Sequence, residues 1–278
     1  MNFRLKIAEL IILLSQNTFF VRGKIRNFIW RSIDRIINYD ARTDPKTSRV
    51  KIKVDGVPFY IYFDHRSDVK IAFGNYNKKE IDFIKQYMTT NSTFVDIGSN
   101  IGIYTMNIAA IYPQTDFFQI LSIEANPLMI ERQKENIELL NNIEKGVKDK
   151  IILVECAVSD TKDNLQLDLE HGYGSASISE YKTKDSITVQ SNTLMDILLK
   201  NKIKRIDCLK IDIEGYEDRA LFPFFKSAER SLYPLIIVME ISSQQEWGQE
   251  VNLIEYLNSI GYETEFKTRG NICLKLRQ

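Results

Sequence analysis

Phe94-Val95-Asp96-Ile97-Gly98-Ser99-Asn100-Ile101-Gly102-Ile103-Tyr104-Thr105 is the stretch whose reading decides the fold. An apolar run, a glycine-punctuated turn and the start of a helix follow one another without a break. Glycines in such a turn let the backbone bend sharply and come close to a ligand. A helix start behind them offers free N–H groups and a positive dipole end.

Many nucleotide cofactors use a strand–turn–helix of this kind, so spacing must separate them. A dinucleotide fold wants GxGxxG, with the middle glycine against a pyrophosphate. Here Gly98 and Gly102 stand four apart, and Ser99 and Asn100 between them carry side chains. The phosphate-binding GxxxxGK[ST] loop is missing too. In place of phosphate chemistry an acid, Asp96, ends the strand. A carboxylate there suits a ligand with a positive ammonium group, such as the methionine part of S-adenosylmethionine, and would repel a pyrophosphate.

Outward from this stretch, Phe117–Ile123 reads as the next strand and ends at Glu124, 22 residues after Gly102. An acid at that place can accept hydrogen bonds from both ribose hydroxyls of a nicotinamide or an adenosylmethionine cofactor. Asn126 and Pro127 then cap and open a helix over 128–140. Further strands are expected at 151–156, 206–211 and 235–239, with a helix at 250–260. A closing pair at 263–267 and 272–276 surrounds Arg269-Gly270. Repeated βα units predict an α/β protein of Rossmann type, with a mostly parallel seven-stranded sheet and helices on both faces.

Ahead of the sheet, Val50 to Phe63 alternates around Asp55-Gly56, which predicts a hairpin over 49–63. A helix is expected from Asn77 to Met88. Residues 1–48 read as an N-terminal helical extension, with 49–278 as the main domain. Lys24, Arg26, Arg31 and Arg35 interleave with apolar residues in the extension, so residues 1–38 read as a cap on the domain or as a weak membrane-surface contact. The insertion at 163–188 is the least regular part of the core region and is well placed to cover a ligand.

The 278 residues carry 37 basic and 37 acidic side chains, a formal net charge of zero. That argues against a nucleic-acid partner, which usually demands a basic excess. Three scattered cysteines and two histidines argue against a disulfide framework and a metal site, and point to a cytoplasmic setting. No stretch has the length of a transmembrane helix.

The stretches FVDIGSNIGIYT (94–105), SIEANPLMIERQKENIELLN (122–141), VECAVSD (154–160) and CLKIDIEGYEDRAL (208–221) together resemble the FkbM-type methyltransferases, a class I family using S-adenosylmethionine. FGNYNKKEIDFI (73–84) and IIVMEIS (236–242) match more weakly. The resemblance implies that Asp96, Gly98, Asn100 and Gly102 line the methionine side and that Glu124 holds the ribose. It implies that the backbone around Cys156-Ala157 borders the adenine, with Ala157 the named contact. It also implies O-methylation of a hydroxyl on a sugar, glycan or similar small acceptor.

Lys210-Ile211-Asp212-Ile213-Glu214 closes the fourth strand. Alternation sends Lys210, Asp212 and Glu214 to one face. Charges at a buried strand end are costly unless paired or functional. Asp212 and Glu214 read as functional, while Glu217 and Asp218 read as first-turn helix acids. Glu240 ends the next strand at the same edge. An alcohol acceptor must lose a proton during transfer, so Asp212 is the expected base, with Glu214 and Glu240 orienting the hydroxyl and His171 as the other candidate. Tyr173 and Tyr181 could stack on a sugar ring. The rival readings are an NAD(P)-dependent oxidoreductase and a catalytically silent binding module on the same fold.

Overall fold

Strand β3, Thr93–Ile97, is buried along its whole length, because strands flank it on both sides and helices cover both faces. The computed structural model describes Leu10 and residues 49–62, 71–72, 76–113, 115, 117–169, 176–179, 182–241 and 252–277. Apart from Leu10, the expected N-terminal extension lies outside the described residues, as do His171, Tyr173 and Tyr181.

The main sheet has the strand order β12-β13-β11-β10-β3-β4-β5. Here β4 is Gln119–Glu124, β5 Ile151–Glu155, β10 Cys208–Ile211, β11 Ile236–Glu240, β12 Tyr262–Lys267 and β13 Asn271–Leu276. The strands from β11 to β5 run parallel. The last two pairings are antiparallel. Helices α1 (Lys78–Tyr87), α2 (Ile103–Ala109) and α3 (Pro127–Asn141) pack on one face with Phe94, Cys208 and Val238. Helices α4 (Leu194–Lys200), α5 (Glu217–Ser227) and α6 (Leu253–Ser259) pack on the other with Val95, Leu209 and Ile237.

That division places the site. The chain leaves β3 through α2 on one face and leaves β10 through α5 on the other. The carboxyl ends of β3 and β10 therefore flank a topological switch point, where open α/β sheets leave a crevice for ligands.

The helix starts follow their sequence signals. Asn126 accepts from the Leu128 N–H with Pro127 in the first turn, and Thr193 and Asn252 cap α4 and α6 in the same way. The hairpin forms from β1 (Val50–Val54) and β2 (Val57–Ile61), with Asp55 and Gly56 both at positive φ. It joins neither larger sheet. The fully buried Asn136 of α3 ties it down, accepting from the Tyr60 N–H and donating to the carbonyl of Ile101.

The insertion is more regular than its sequence suggests. Strands β6 (Ala157–Val158), β7 (Asn164–Asp168), β8 (Ser177–Ser179) and β9 (Ser186–Asn192) make a second sheet in the order β6-β9-β7-β8. One face carries Leu165, Leu167, Ile187 and Val189 into a small apolar cluster with Ala157. The opposite face pairs Gln166 with Thr188. The alternating pieces Leu165–Leu169 and Ala176–Ile178 of the sequence fall on and beside β7 and β8.

Candidate active site

The glycine loop runs from the end of β3 to the start of α2. Gly98 and Ser99 both donate to the carbonyl of Ile123 in β4, at 2.9 and 3.0 Å. Gly98, Asn100 and Gly102 all have positive φ. A Cβ on Gly98 would sit 1.9 Å from the Asp212 carbonyl oxygen, and one on Gly102 would sit 2.9 Å from Gln133 Cγ. The two glycines, expected to admit a ligand, are required first by the protein's own packing. They let the loop lie against the end of β10 and against α3.

Asp96 is fully buried. Its Oδ2 accepts from the Thr105 hydroxyl (2.7 Å) and N–H (3.1 Å). Thr105 continues the chain to the Ser122 hydroxyl, Ser122 to Gln133, and Gln133 back to the Ser99 hydroxyl. The other oxygen, Oδ1, makes no hydrogen bond and lies 3.6 Å from Lys210 Nζ. Burial pushes the Asp96 carboxyl up, against the opposing pull of Lys210 and Thr105. The acid expected to face a ligand's ammonium thus stands under the loop rather than at its mouth.

Glu124, half-buried, ends β4 beside the loop. It accepts from the backbone N–H of Asn100 at 2.7 Å and of Asn126 at 2.8 Å, one on each oxygen. Burial raises its pKa and these N–H donors oppose the rise. A carboxylate offers about four lone-pair positions, so capacity remains for two vicinal hydroxyls. The carbonyl of Glu124 receives the Cys156 N–H at 3.0 Å, which brings Cys156-Ala157 to the same edge. Asp160, just beyond, is held low by Arg219 at 2.8 Å in spite of the desolvation that opposes it.

Beyond β10 the acids gather. The strand stops at Ile211, so alternation places Lys210 and Asp212 but not Glu214. Glu214 stands in a turn with φ 55°, followed by Gly215 at 99°. A side chain in the left-handed region costs about 1–2 kcal/mol. Glu214 is exposed, yet desolvation, then the charges of Asp212, Glu240 and Glu217, push it up to about 7. Glu217 is 1% exposed, accepts the Ile213 N–H at 2.9 Å and is also raised to about 7, chiefly by burial. It is a helix-start acid that fixes the turn, in line with its sequence reading. Glu240 closes β11 at the same edge, half-buried. Among the described residues no group of acids, cysteines and histidines is arranged to hold a metal ion.

Sequence reasoning missed three parts of this site. Lys210 Nζ donates to the carbonyl of Gly98 at 2.9 Å, so it serves the loop as well as the acids. Glu80 of α1 is buried and accepts from Thr268 (2.6 Å) and Asn271 (3.1 Å), anchoring the β12–β13 turn beside Glu240. The Thr105–Ser122–Gln133 chain underlies the loop. Polar residues inside otherwise apolar elements were the available signal, since buried polar groups carry more information than exposed apolar ones.

The family model of the FkbM methyltransferase domain matches residues 96–264. Among solved structures, the chain is similar to an FkbM methyltransferase from Methylobacillus flagellatus KT, at 15% identity and a TM-score of 0.46. That match covers 68% of this chain and 44% of the other, so this chain spans less than half of that relative. It is also similar to a precorrin-6y C5,15-methyltransferase from Geobacter metallireducens GS-15, at 12% identity and a TM-score of 0.43, covering 72% of this chain and 89% of that one. A third is TrmK of M. capricolum in complex with S-adenosyl-homocysteine, at 14% identity and a TM-score of 0.40, covering 72% and 68%. No curated protein matches the chain.

Proposed function

The chain belongs to the FkbM methyltransferase family, and from that premise we propose that it methylates a hydroxyl of a sugar, a glycan or a related small acceptor. It is an S-adenosylmethionine-dependent enzyme with the Rossmann-like class I fold. When bound, the cofactor supplies a methyl group already activated on a sulfonium.

The single observation that carries the binding reading is Glu124. Its carboxylate accepts one backbone N–H on each oxygen and keeps acceptor capacity at the strand end. That fits the two ribose hydroxyls. Gly98, Asn100 and Gly102 would shape the methionine side, with Asp96 acting there by charge from beneath the loop. Ala157 would border the adenine. Gly98 and Gly102 lack the GxGxxG spacing of a pyrophosphate site and Asp96 stands beneath the loop, which disfavours a nicotinamide cofactor.

The protein's task in such a transfer is to align the acceptor with the methyl group, an effect worth up to about 7–11 kcal/mol, and to take the hydroxyl's proton. Asp212, Glu214 and Glu240 are the candidates. A base works best with a pKa near the working pH. Glu214, exposed and raised to about 7, meets that requirement, and this moves the proton-accepting role to it. Asp212, 3.9 Å from Lys210 Nζ, orients the acceptor with Glu240. Three free, buried cysteines accord with a reducing, cytoplasmic setting. Among the described residues no helix is long and apolar enough to cross a membrane.

A thermal-shift comparison tests the reading. S-adenosylmethionine and S-adenosylhomocysteine should raise the melting temperature and NAD should not. Stabilisation by NAD alone would overturn it.

A further inference from the structure

Lys210 sits in the middle of β10, whose four residues Cys208, Leu209, Lys210 and Ile211 are all buried. Its side chain is 6% exposed. Taking an ammonium out of water costs several kcal/mol before any pairing repays it, so its partners show what it is kept for. The two carboxylates beside it, Asp96 and Asp212, lie at 3.6 and 3.9 Å, outside hydrogen-bond range. The shortest contact is to the Gly98 carbonyl at 2.9 Å, with the Ile97 carbonyl at 3.5 Å. The ring of Tyr104 covers the ammonium, 5.2 Å from its centroid. The short directed bond therefore goes to the backbone of the glycine loop, while the acids act mainly by charge.

We propose that Lys210 is a positioning residue. It locks the Gly98 peptide in the orientation that receives the amino-acid end of S-adenosylmethionine, and it does more than neutralise Asp96. The proposal rests on the S-adenosylmethionine reading above. A loop held at Gly98 governs the methionine side. The adenosine side is held by Glu124 and the edge at Ala157, which Lys210 reaches only by its charge on Glu124 and through the Asn100 N–H that Glu124 accepts.

The experiment compares two ligands by calorimetry on the full chain: S-adenosylhomocysteine, which carries the amino-acid end, and 5′-methylthioadenosine, which lacks it. In Lys210→Met the affinity for S-adenosylhomocysteine should fall about tenfold, the worth of one charge-assisted hydrogen bond. Affinity for methylthioadenosine should fall far less, staying within about twofold of wild type, since Lys210 acts on Glu124 by charge and the bond removed is the one at Gly98, not the one at Asn100. An equal loss for both ligands, or for neither, overturns the proposal. Should Lys210→Met fail to fold because Asp96 loses its counter-charge, Asp96→Asn/Lys210→Met removes both charges and is compared with Asp96→Asn alone. A further fall in the preference for S-adenosylhomocysteine supports positioning, and no further fall overturns it. A wild-type protein that binds neither ligand sinks the S-adenosylmethionine reading itself. Normal wild-type binding with an unchanged ligand ratio in the variant sinks only the role of Lys210.

Discussion

The carbonyl oxygen of Asp212 occupies the space that a side chain on Gly98 would need, 1.9 Å from the position of a Cβ. The clash is with backbone, so no rotamer change relieves it. Gly98→Ala should therefore separate the ends of β3 and β10. The φ of +70° alone costs an alanine about 1–2 kcal/mol. The expected outcome is a loss of at least about 2 kcal/mol of stability by urea denaturation, with cofactor binding abolished.

Glu124 holds the loop and the start of α3 through two backbone donors. Glu124→Ala leaves both N–H groups without their acceptor, at about 1–3 kcal/mol for each buried donor. Both stability and cofactor affinity should fall. Glu124→Gln can accept only one of the two donors and should lie between. Calorimetry with S-adenosylhomocysteine checks the series, and unchanged affinity in Glu124→Ala would remove the ribose role.

Glu217 has its folded pKa raised to about 7 from an ordinary 4.5, while buried and facing the charges of Asp212 and Glu240. Between those two values the folded chain binds more protons than the unfolded one, so stability falls as pH rises. The contribution reaches about 3 kcal/mol once pH exceeds 7. Glu214 adds to it in the same direction. Glu217→Gln keeps the acceptor for the Ile213 N–H and removes the titration. Its melting temperature should change less than that of wild type between pH 5 and 8, and exceed it at pH 8.

If Glu214 accepts the proton, kcat/KM for an accepted alcohol should rise with pH through about 7, the value to which this carboxyl is shifted. Glu214→Gln should lose that limb and about 100-fold or more in kcat, in the range of general-base contributions. Asp212→Asn should lower turnover while keeping the limb and cofactor binding. A Glu214→Gln enzyme with a normal pH profile would return the role to Asp212.

How far the sequence carried this site depended on how local each cause was. The run Phe94 to Ile97 was legible as a strand buried on both faces, apolar but for the one acid Asp96, and Glu124 because a strand end is set by its own neighbours. The capped start of α3 at Asn126-Pro127 was equally local. The reason for Gly98 was not legible, since the atom that excludes a side chain belongs to Asp212, on another strand. Lys210 was legible as a charge among acids but not as a donor to Gly98. Glu214 misled the alternation because the strand ends three residues earlier and a non-glycine residue then takes a left-handed turn. The 163–188 segment showed alternating pieces at 165–169 and 176–178, but their pairing with 186–192 was not legible because strand partners are set by residues distant in the chain.

The bond between Lys210 and Gly98 joins residues 112 positions apart in the chain. On a ribosome adding about 5–20 residues per second, the loop emerges roughly 6–22 seconds before the strand that braces it. Its neighbours in α2, β4 and α3 arrive promptly, so the first half of the sheet can assemble while the cofactor pocket still lacks one wall. The nascent chain is therefore expected to complete its cofactor site late, after β10 has left the exit tunnel.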